Sequence, residues 1–239
     1  MAQNDQVVIR IVHLDARDAA AVASLHRSFI TTGFLSALGE RFTERMYRAI
    51  LSCPTAFGLG VKDETDRLLG FIACAEDIRK TYRYSILLHG LSMALPLLRY
   101  LFRFSAIHRL WETFRYPSAV GEGLPRAEVL SIAVSPLLRG QGVGQMLLDA
   151  ALNDLRNKGI ERVKVAVGAA NTGANRFYER YGFRLALTRQ HHGEPMNLYV
   201  IELTGDNARA AAGPSARIES RLPGPSCSRC VAERPIAPR

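Results

Sequence analysis

The sequence predicts an α/β fold: one domain over residues 1–204 and a tail of different character over 205–239. Three observations carry that expectation. β-Branched alternating stretches and stretches with helical spacing follow one another from Val7 to Leu203. Three glycines at alternate positions, Gly140, Gly142 and Gly144, stand where an apolar strand gives way to a helical pattern. The tail is rich in Pro, Gly, Ser, Ala and Arg and has no sustained apolar period, which predicts disorder. At 48% hydrophobic and 22% charged residues, the whole has a globular composition.

The elements are expected in this order. "VVIRIVHL" (7–14) alternates as a strand, and the polar residues before it suit a first strand better than an export signal. Asp15 is a candidate N-cap for the helical "DARDAAAVASLHRSFI". A second helix spans about 40–52 and ends before Pro54. "AFGLGVKD" and "RLLGFIACAED" flank the turn signal "KDETD" and read as a hairpin. A long insertion occupies 79–115. "RAEVLSIAVS" (126–135) is a nearly continuous apolar strand, and a helix follows over about 142–157, closed by Gly159. Strand 161–167, helix 171–181 and strands over 182–190 and 196–203 complete the domain.

The net charge of +9 is localised. Residues 79–115 hold seven Lys or Arg against one acid, Glu112, and the tail holds six Arg against three acids. The rest is near neutral. Charge alone is compatible with a nucleic-acid partner, so the partner has to be read from motifs. Four cysteines and no secretory signal predict reduced thiols in the cytoplasm. Cys227 and Cys230 form a C-x-x-C without a second ligand pair, and no metal is expected.

The insertion contains an uncharged run, Tyr84 to Leu98, of about 15 residues with Pro96 inside it. That is shorter than the roughly 20 residues a membrane span needs. Basic residues flank it: Arg79, Lys80 and Arg83 before, Arg99, Arg103 and Arg109 after. It reads as a helical cap or homodimer surface, as a segment in peripheral contact with the inner, anionic face of a membrane, or as a basic lid.

The glycine run has the chemistry of a phosphate cradle. Glycine admits positive φ and close backbone approach, and unpaired N–H groups at a helix start attract an anion. A Walker loop does not fit: its glycine spacing and Lys-Ser/Thr pair are missing. A dinucleotide fingerprint fails because Gln145 stands at the third glycine position. The pattern Arg/Gln-x-x-Gly-x-Gly/Ala fits through Arg139, Gly142 and Gly144.

With "EVLSIAV" (128–134) ahead of "RGQGVG" (139–144), and "NTGANRFYERYGF" (171–183) after it, the sequence resembles the GNAT superfamily of acetyl-CoA-dependent N-acetyltransferases. The last element matches that family's run through Asn171, Ala174, Tyr178, Gly182 and Phe183, and the three elements cover about 55 residues. The resemblance implies a mixed, mostly antiparallel central sheet, flanked by helices, whose fourth and fifth strands splay apart. It makes residues 1–204 an N-acetyltransferase domain with an inserted helical segment.

It also implies roles. Ile132, Ala133 and Val134 would pair with the pantetheine amides of acetyl-CoA. Arg139, Gly140, Gln141, Gly142, Val143 and Gly144 would hold the pyrophosphate, and Asn171 and Phe177 would line the pantetheine and adenine side. Tyr178 would protonate the departing thiolate, set against a plain core role beside Phe177 and Tyr181. Glu128 is either a carboxylate base acting through water or a solvent-facing charge at the strand end. His26, His89 and His108 are alternative bases. His191 and His192 adjoin in a turn without a third metal ligand. No cysteine lies in a matched element, so direct transfer in a ternary complex is expected. The expected acceptor is a small-molecule primary amine such as an amino-sugar, with no nucleic-acid partner. Protein amines, longer acyl chains and a non-catalytic acyl-CoA sensor or membrane scaffold remain the alternatives. "SFITTGFLSALG" (28–39) falls where the family forms its acceptor wall.

Overall fold

The computed structural model describes residues 7–30, 39–97, 123–191, 193–203 and 219–222, with backbone only at 7, 91–97 and 219–222. The strands are β1 (Val7–Leu14), β2 (Ala56–Asp63), β3 (Leu68–Ala75), β4 (Ala127–Val134), β5 (Arg162–Gly168), β6 (Arg184–His191), β7 (Glu194–Glu202) and β8 (Glu219–Leu222). The helices are α1 (Ala19–Phe29), α2 (Glu40–Leu51), α3 (Ile78–Leu97), α4 (Val143–Asn157) and α5 (Thr172–Tyr181). One sheet runs β6-β7-β5-β4-β3-β2-β1-β8. Every pairing in it is antiparallel except β4–β5. The mixed, mostly antiparallel α/β fold expected from the sequence is the fold observed.

Alternation along the strands divides the core into two layers. In β2, Phe57, Leu59 and Val61 join the layer under α4 and α5, with Ile9, Ile11, Leu147, Leu148, Val165 and Tyr199. Gly58 and Gly60 face the other layer, under α1 and α2. A Cβ at Gly58 would meet Leu51 Cδ2 at 2.6 Å, so the missing side chain lets α2 lie close to the sheet. Leu14, Val22, Tyr47, Phe71 and Ala133 fill that layer.

The local signals act as their chemistry dictates. Asp15 accepts from Arg17 N at 2.8 Å, and Asp18 reaches back to the Asp15 N–H, a capping box before α1. Asn171 caps α5 by accepting from Ala174 N at 3.1 Å. Gly159 and Gly182 take φ of 76° and 112° after α4 and α5.

The insertion begins as the 20-residue helix α3, and Pro96, which has no N–H to give, falls in its last turn. Ile86, Leu87 and Leu88 of that helix are 46%, 78% and 65% exposed. No helix among the described residues is long and apolar enough to cross a membrane. Residues 98–115 of the insertion, His108 with them, and 31–38 of the expected acceptor wall lie outside the described residues, as do His192, Cys227 and Cys230.

The tail expectation needs one correction. Glu219–Leu222 is a strand, β8, antiparallel to β1, with Glu219 opposite Arg10 and Leu222 opposite Val7 in register. Strand β1 has β2 on one side only, and its other row of N–H and C=O groups accepts a short added strand whatever the composition around it. The remainder of 205–239 lies outside the described residues.

Candidate active site

Strands β4 and β5 pair at three positions only: Ala127↔Val163, Glu128↔Lys164 and Val129↔Val165. Beyond them the strands part. β4 continues to Val134 on β3, with Ile132 opposite Ile72, Ala133 opposite Phe71 and Val134 opposite Gly70. β5 continues to Gly168 on β7. The facing backbones of 130–134 and 166–168 are therefore left without a strand between them, a wedge that opens toward the C-terminal ends of both. The register of β4 on β3 shifts between Ala73 and Cys74, which bulges β4 at Leu130 as the wedge begins.

The glycine run lies at the mouth of that wedge. Ser135 and a short 3-10 turn, Pro136–Leu138, carry the chain from β4 to Arg139. Gly140 and Gly142 then adopt φ of 75° and 76°. Gly142, in the left-handed region, is the N-cap of α4 and makes no side-chain cap. The first intrahelical bond runs from Met146 N to Gly142 O at 3.0 Å. Three N–H groups, those of Val143, Gly144 and Gln145, precede it, at the positive end of the helix dipole. The Arg139 guanidinium lies 5.9 Å from the centre of the Phe29 ring, which ties the loop to the end of α1. Gln141 donates to the Leu137 carbonyl at 3.1 Å and so braces the loop from within.

The matched segments, distant in sequence, meet here. A Cβ placed on Gly144 would lie 3.9 Å from both Phe177 of α5 and Val134 of β4. Phe177 stacks edge-on against Tyr178 at 5.1 Å, and Tyr178 against Phe183 at 5.2 Å. Tyr178 is 3% exposed. Burial first, and then the neighbouring Cys74 sulfur, push its phenol pKa up, so the phenol keeps its proton at neutral pH. The ring is packed in the core and its hydroxyl is protonated at neutral pH. Asn171 is spent on its cap. Sequence reasoning passed over Asn175, whose amide is fully used. Its Nδ2 donates to Asn171 O at 2.7 Å and Gly168 O at 3.0 Å, and its Oδ1 accepts from Tyr199 and Asn197 at 2.8 and 2.9 Å. That clamp fixes α5, and with it Tyr178, to the end of β5.

Glu128 is not a solvent-facing charge. It is 5% exposed, and its carboxylate lies 3.2 Å from Lys164 Nζ, itself 1% exposed. Lys164 also donates to the Pro125 carbonyl at 2.6 Å. The pair joins β4 to β5 at the middle of their three paired positions, one residue short of where the wedge opens. Among the other sequence candidates, His89 lies on α3, with its ring 6.0 Å from that of Tyr84. His26 is different: it is 4% exposed, and its Nδ1 is 2.6 Å from the Tyr47 hydroxyl, which is 2.9 Å from Ser131 Oγ on β4. No local signal in the sequence joins those three residues. Among the described residues, no group of His, Cys, Asp or Glu could hold a metal.

Burial lowers the His26 pKa from 6.5 to about 4, so the ring is neutral in the native protein at pH 7. The unfolded chain binds this proton more readily than the native one. Stability from this site is therefore full above about pH 6.5 and falls as pH drops toward 4, by roughly 3 kcal/mol at one pKa unit per 1.36 kcal/mol. Urea midpoints across that window should fall for the wild type and fall less for His26→Asn.

The loop geometry fits a pyrophosphate: two left-handed glycines, three uncapped helical N–H groups and an adjacent Arg. If acetyl-CoA binds the native state alone, ligand at about 100 times its Kd adds about 2.7 kcal/mol. Gly142→Asp places bulk and negative charge at the anion position, and the acetyl-CoA-dependent rise in Tm should largely vanish in that variant.

Comparison with known proteins agrees with this geometry. Residues 25–183 match the model of the acetyltransferase (GNAT) family. A mycothiol acetyltransferase of Propionibacterium freudenreichii is 40% identical over 67 residues, 28% of this chain and 22% of that protein. The ribosomal protein bS18-alanine N-acetyltransferase of Salmonella typhimurium is 33% identical over 69 residues, 29% of this chain and 47% of that protein. The chain thus spans less than half the length of these curated relatives. The solved ribosomal-protein-S18-alanine N-acetyltransferase of Escherichia coli superposes with a TM-score of 0.51 at 15% identity, covering 83% of this chain and 97% of that one, which shows a shared fold.

Proposed function

The chain belongs to the acetyltransferase (GNAT) family, and from that premise we propose that it moves an acetyl group from acetyl-CoA to a small-molecule primary amine by direct transfer. The observation that carries the reading is the end of β4–β5 pairing at Val129↔Val165, with the uncapped start of α4 at the mouth of the gap. Bound acetyl-CoA supplies an activated acetyl thioester. The free backbone edge of Ile132, Ala133 and Val134 holds the pantetheine arm as an added strand would. Arg139 and the N–H groups from Gly140 to Gly144 hold the pyrophosphate, and Phe177 walls the same side. Oriented N–H groups of β4 also polarise the carbonyl under attack. The N–C bond forms as the C–S bond breaks: Tyr178, protonated at neutral pH, gives its phenolic proton to the departing sulfur, and the proton shed by the amine passes to solvent, from which the phenol is restored.

The acceptor class is set by a thiol-release screen over amino-sugars, nucleotide sugars, amino acids, polyamines and peptides. Amine-dependent release with a small amine supports the reading. Release with peptides alone makes the chain a protein acetyltransferase. Acetyl-CoA binding without release on any member supports a sensor instead. The exposed Ile86, Leu87 and Leu88 on a helix that also carries Arg79, Lys80 and Arg83 support peripheral contact with an anionic membrane face.

A further inference from the structure

The sheet face under α4 and α5 is occupied by the donor-side machinery: the glycine run, Phe177 and Tyr178. An amine that attacks the thioester has to approach from the other face, the one covered by α1 and α2. On that face β4 presents few polar groups near the wedge. Glu128 is engaged with Lys164 at the narrow end. Ala133 and Leu130 are apolar. Ser131 is half-buried, immediately before the Ile132–Val134 edge, and it is the end of a chain that runs inward through Tyr47 to His26.

We propose that Ser131 is the β4 residue that meets the acceptor amine, and that Tyr47 and His26 are positioning residues that set the direction of its hydroxyl. This rests on the acetyl-transfer reading given above and adds an acceptor contact to it. Each link is short enough to transmit orientation: 2.6 Å from His26 Nδ1 to Tyr47 Oη and 2.9 Å from Tyr47 Oη to Ser131 Oγ. Tyr47 is 1% exposed and its hydroxyl lies within hydrogen-bond distance of both neighbours, so its hydrogen goes to one of them and its lone pairs serve the other. When His26 Nδ1 accepts from Tyr47, Tyr47 accepts from Ser131, and the Ser131 lone pairs are left for an amine N–H. When Nδ1 carries the hydrogen, both bonds reverse and Ser131 offers its own hydrogen. Among the described residues the buried His26 Nε2 has no hydrogen-bond partner, and none of them pins the ring in one tautomer through a second contact. An amine offers N–H donors, and its binding selects the first arrangement. A purely structural network would be expected to satisfy Nε2 too.

The test uses the full chain with two amine probes, glucosamine and the tripeptide Ala-Gly-Gly, and reads thiol release beside the acetyl-CoA-dependent Tm rise. Wild-type protein is expected to release thiol with at least one probe. Ser131→Ala is small and leaves the core intact. It should raise KM for that probe about tenfold, the worth of one hydrogen bond, with the acetyl-CoA Tm rise unchanged. Ser131→Thr keeps the hydroxyl and should restore KM to within a few-fold of wild type. Tyr47→Phe and His26→Asn should raise probe KM without lowering the donor's Tm rise; Asn carries a polar group near the Nδ1 position and should have the milder effect. Unchanged probe KM in Ser131→Ala overturns the proposal. So does loss of the acetyl-CoA Tm rise in that variant, which would place Ser131 on the donor side. A wild type with the Tm rise intact but no release with either probe also overturns it. A wild type without the Tm rise sinks the donor site itself, a separate outcome.

Discussion

Tyr178→Phe is expected to lower kcat by about 10²- to 10⁴-fold, the range for a lost general acid, with little change in KM for acetyl-CoA. The substitution removes one oxygen and keeps the ring, so the edge contacts at 5.1 Å with Phe177 and 5.2 Å with Phe183 survive. In the proposed role the hydroxyl acts mainly as the sulfur departs, so binding should be spared and turnover should not. A phenol that only filled space would give the reverse: near-normal kcat, with any loss confined to Tm. Measuring kcat and Tm on one preparation separates the two, on a substrate pair for which chemistry limits turnover.

Lys164→Met is expected to destabilise the fold by about 3–5 kcal/mol, because it leaves the Glu128 carboxylate buried beside an apolar chain. The side chains of the pair are 1% and 6% exposed, so water cannot replace the lost partner. Replacing both, as Glu128→Leu with Lys164→Met, should recover most of that loss, since an apolar pair of similar volume carries no uncompensated charge. Urea unfolding of the three variants checks this. A loss below about 1 kcal/mol in the single variant would mean that solvent reaches the narrow end of the wedge.

The legible part of this molecule was the part written locally. The alternation of "VVIRIVHL", the Asp15 cap and the left-handed glycine at 142 each act within a few residues, and strand Val7–Leu14 and helix Val143–Asn157 form within about a residue of their expected bounds. The proposed donor side could be drawn from the sequence for a related reason: Arg139–Gly144 and Asn171–Phe183 are contiguous runs, and only their meeting at Gly144, Phe177 and Val134 needed the fold.

The other features depend on register. Glu128 finds Lys164 because β4 and β5 pair in parallel for three residues, and nothing near Glu128 in sequence announces that. Ser131, Tyr47 and His26 are 84 and 21 residues apart link by link, each unremarkable in its own helix or strand. Strand β8 was hidden by its surroundings: composition predicts whether a segment folds alone, and Glu219–Leu222 forms on the edge that β1 already provides.

The gap between β4 and β5 is proposed to take acetyl-CoA as an added strand. Amide hydrogen exchange with and without acetyl-CoA reads that gap residue by residue. Slowed exchange is expected at 132–134 and at the N–H groups from 140 to 145, with the Ala127–Val129 amides at the closed end little changed. Slowed exchange elsewhere, with 132–134 unaffected by saturating acetyl-CoA, would contradict it.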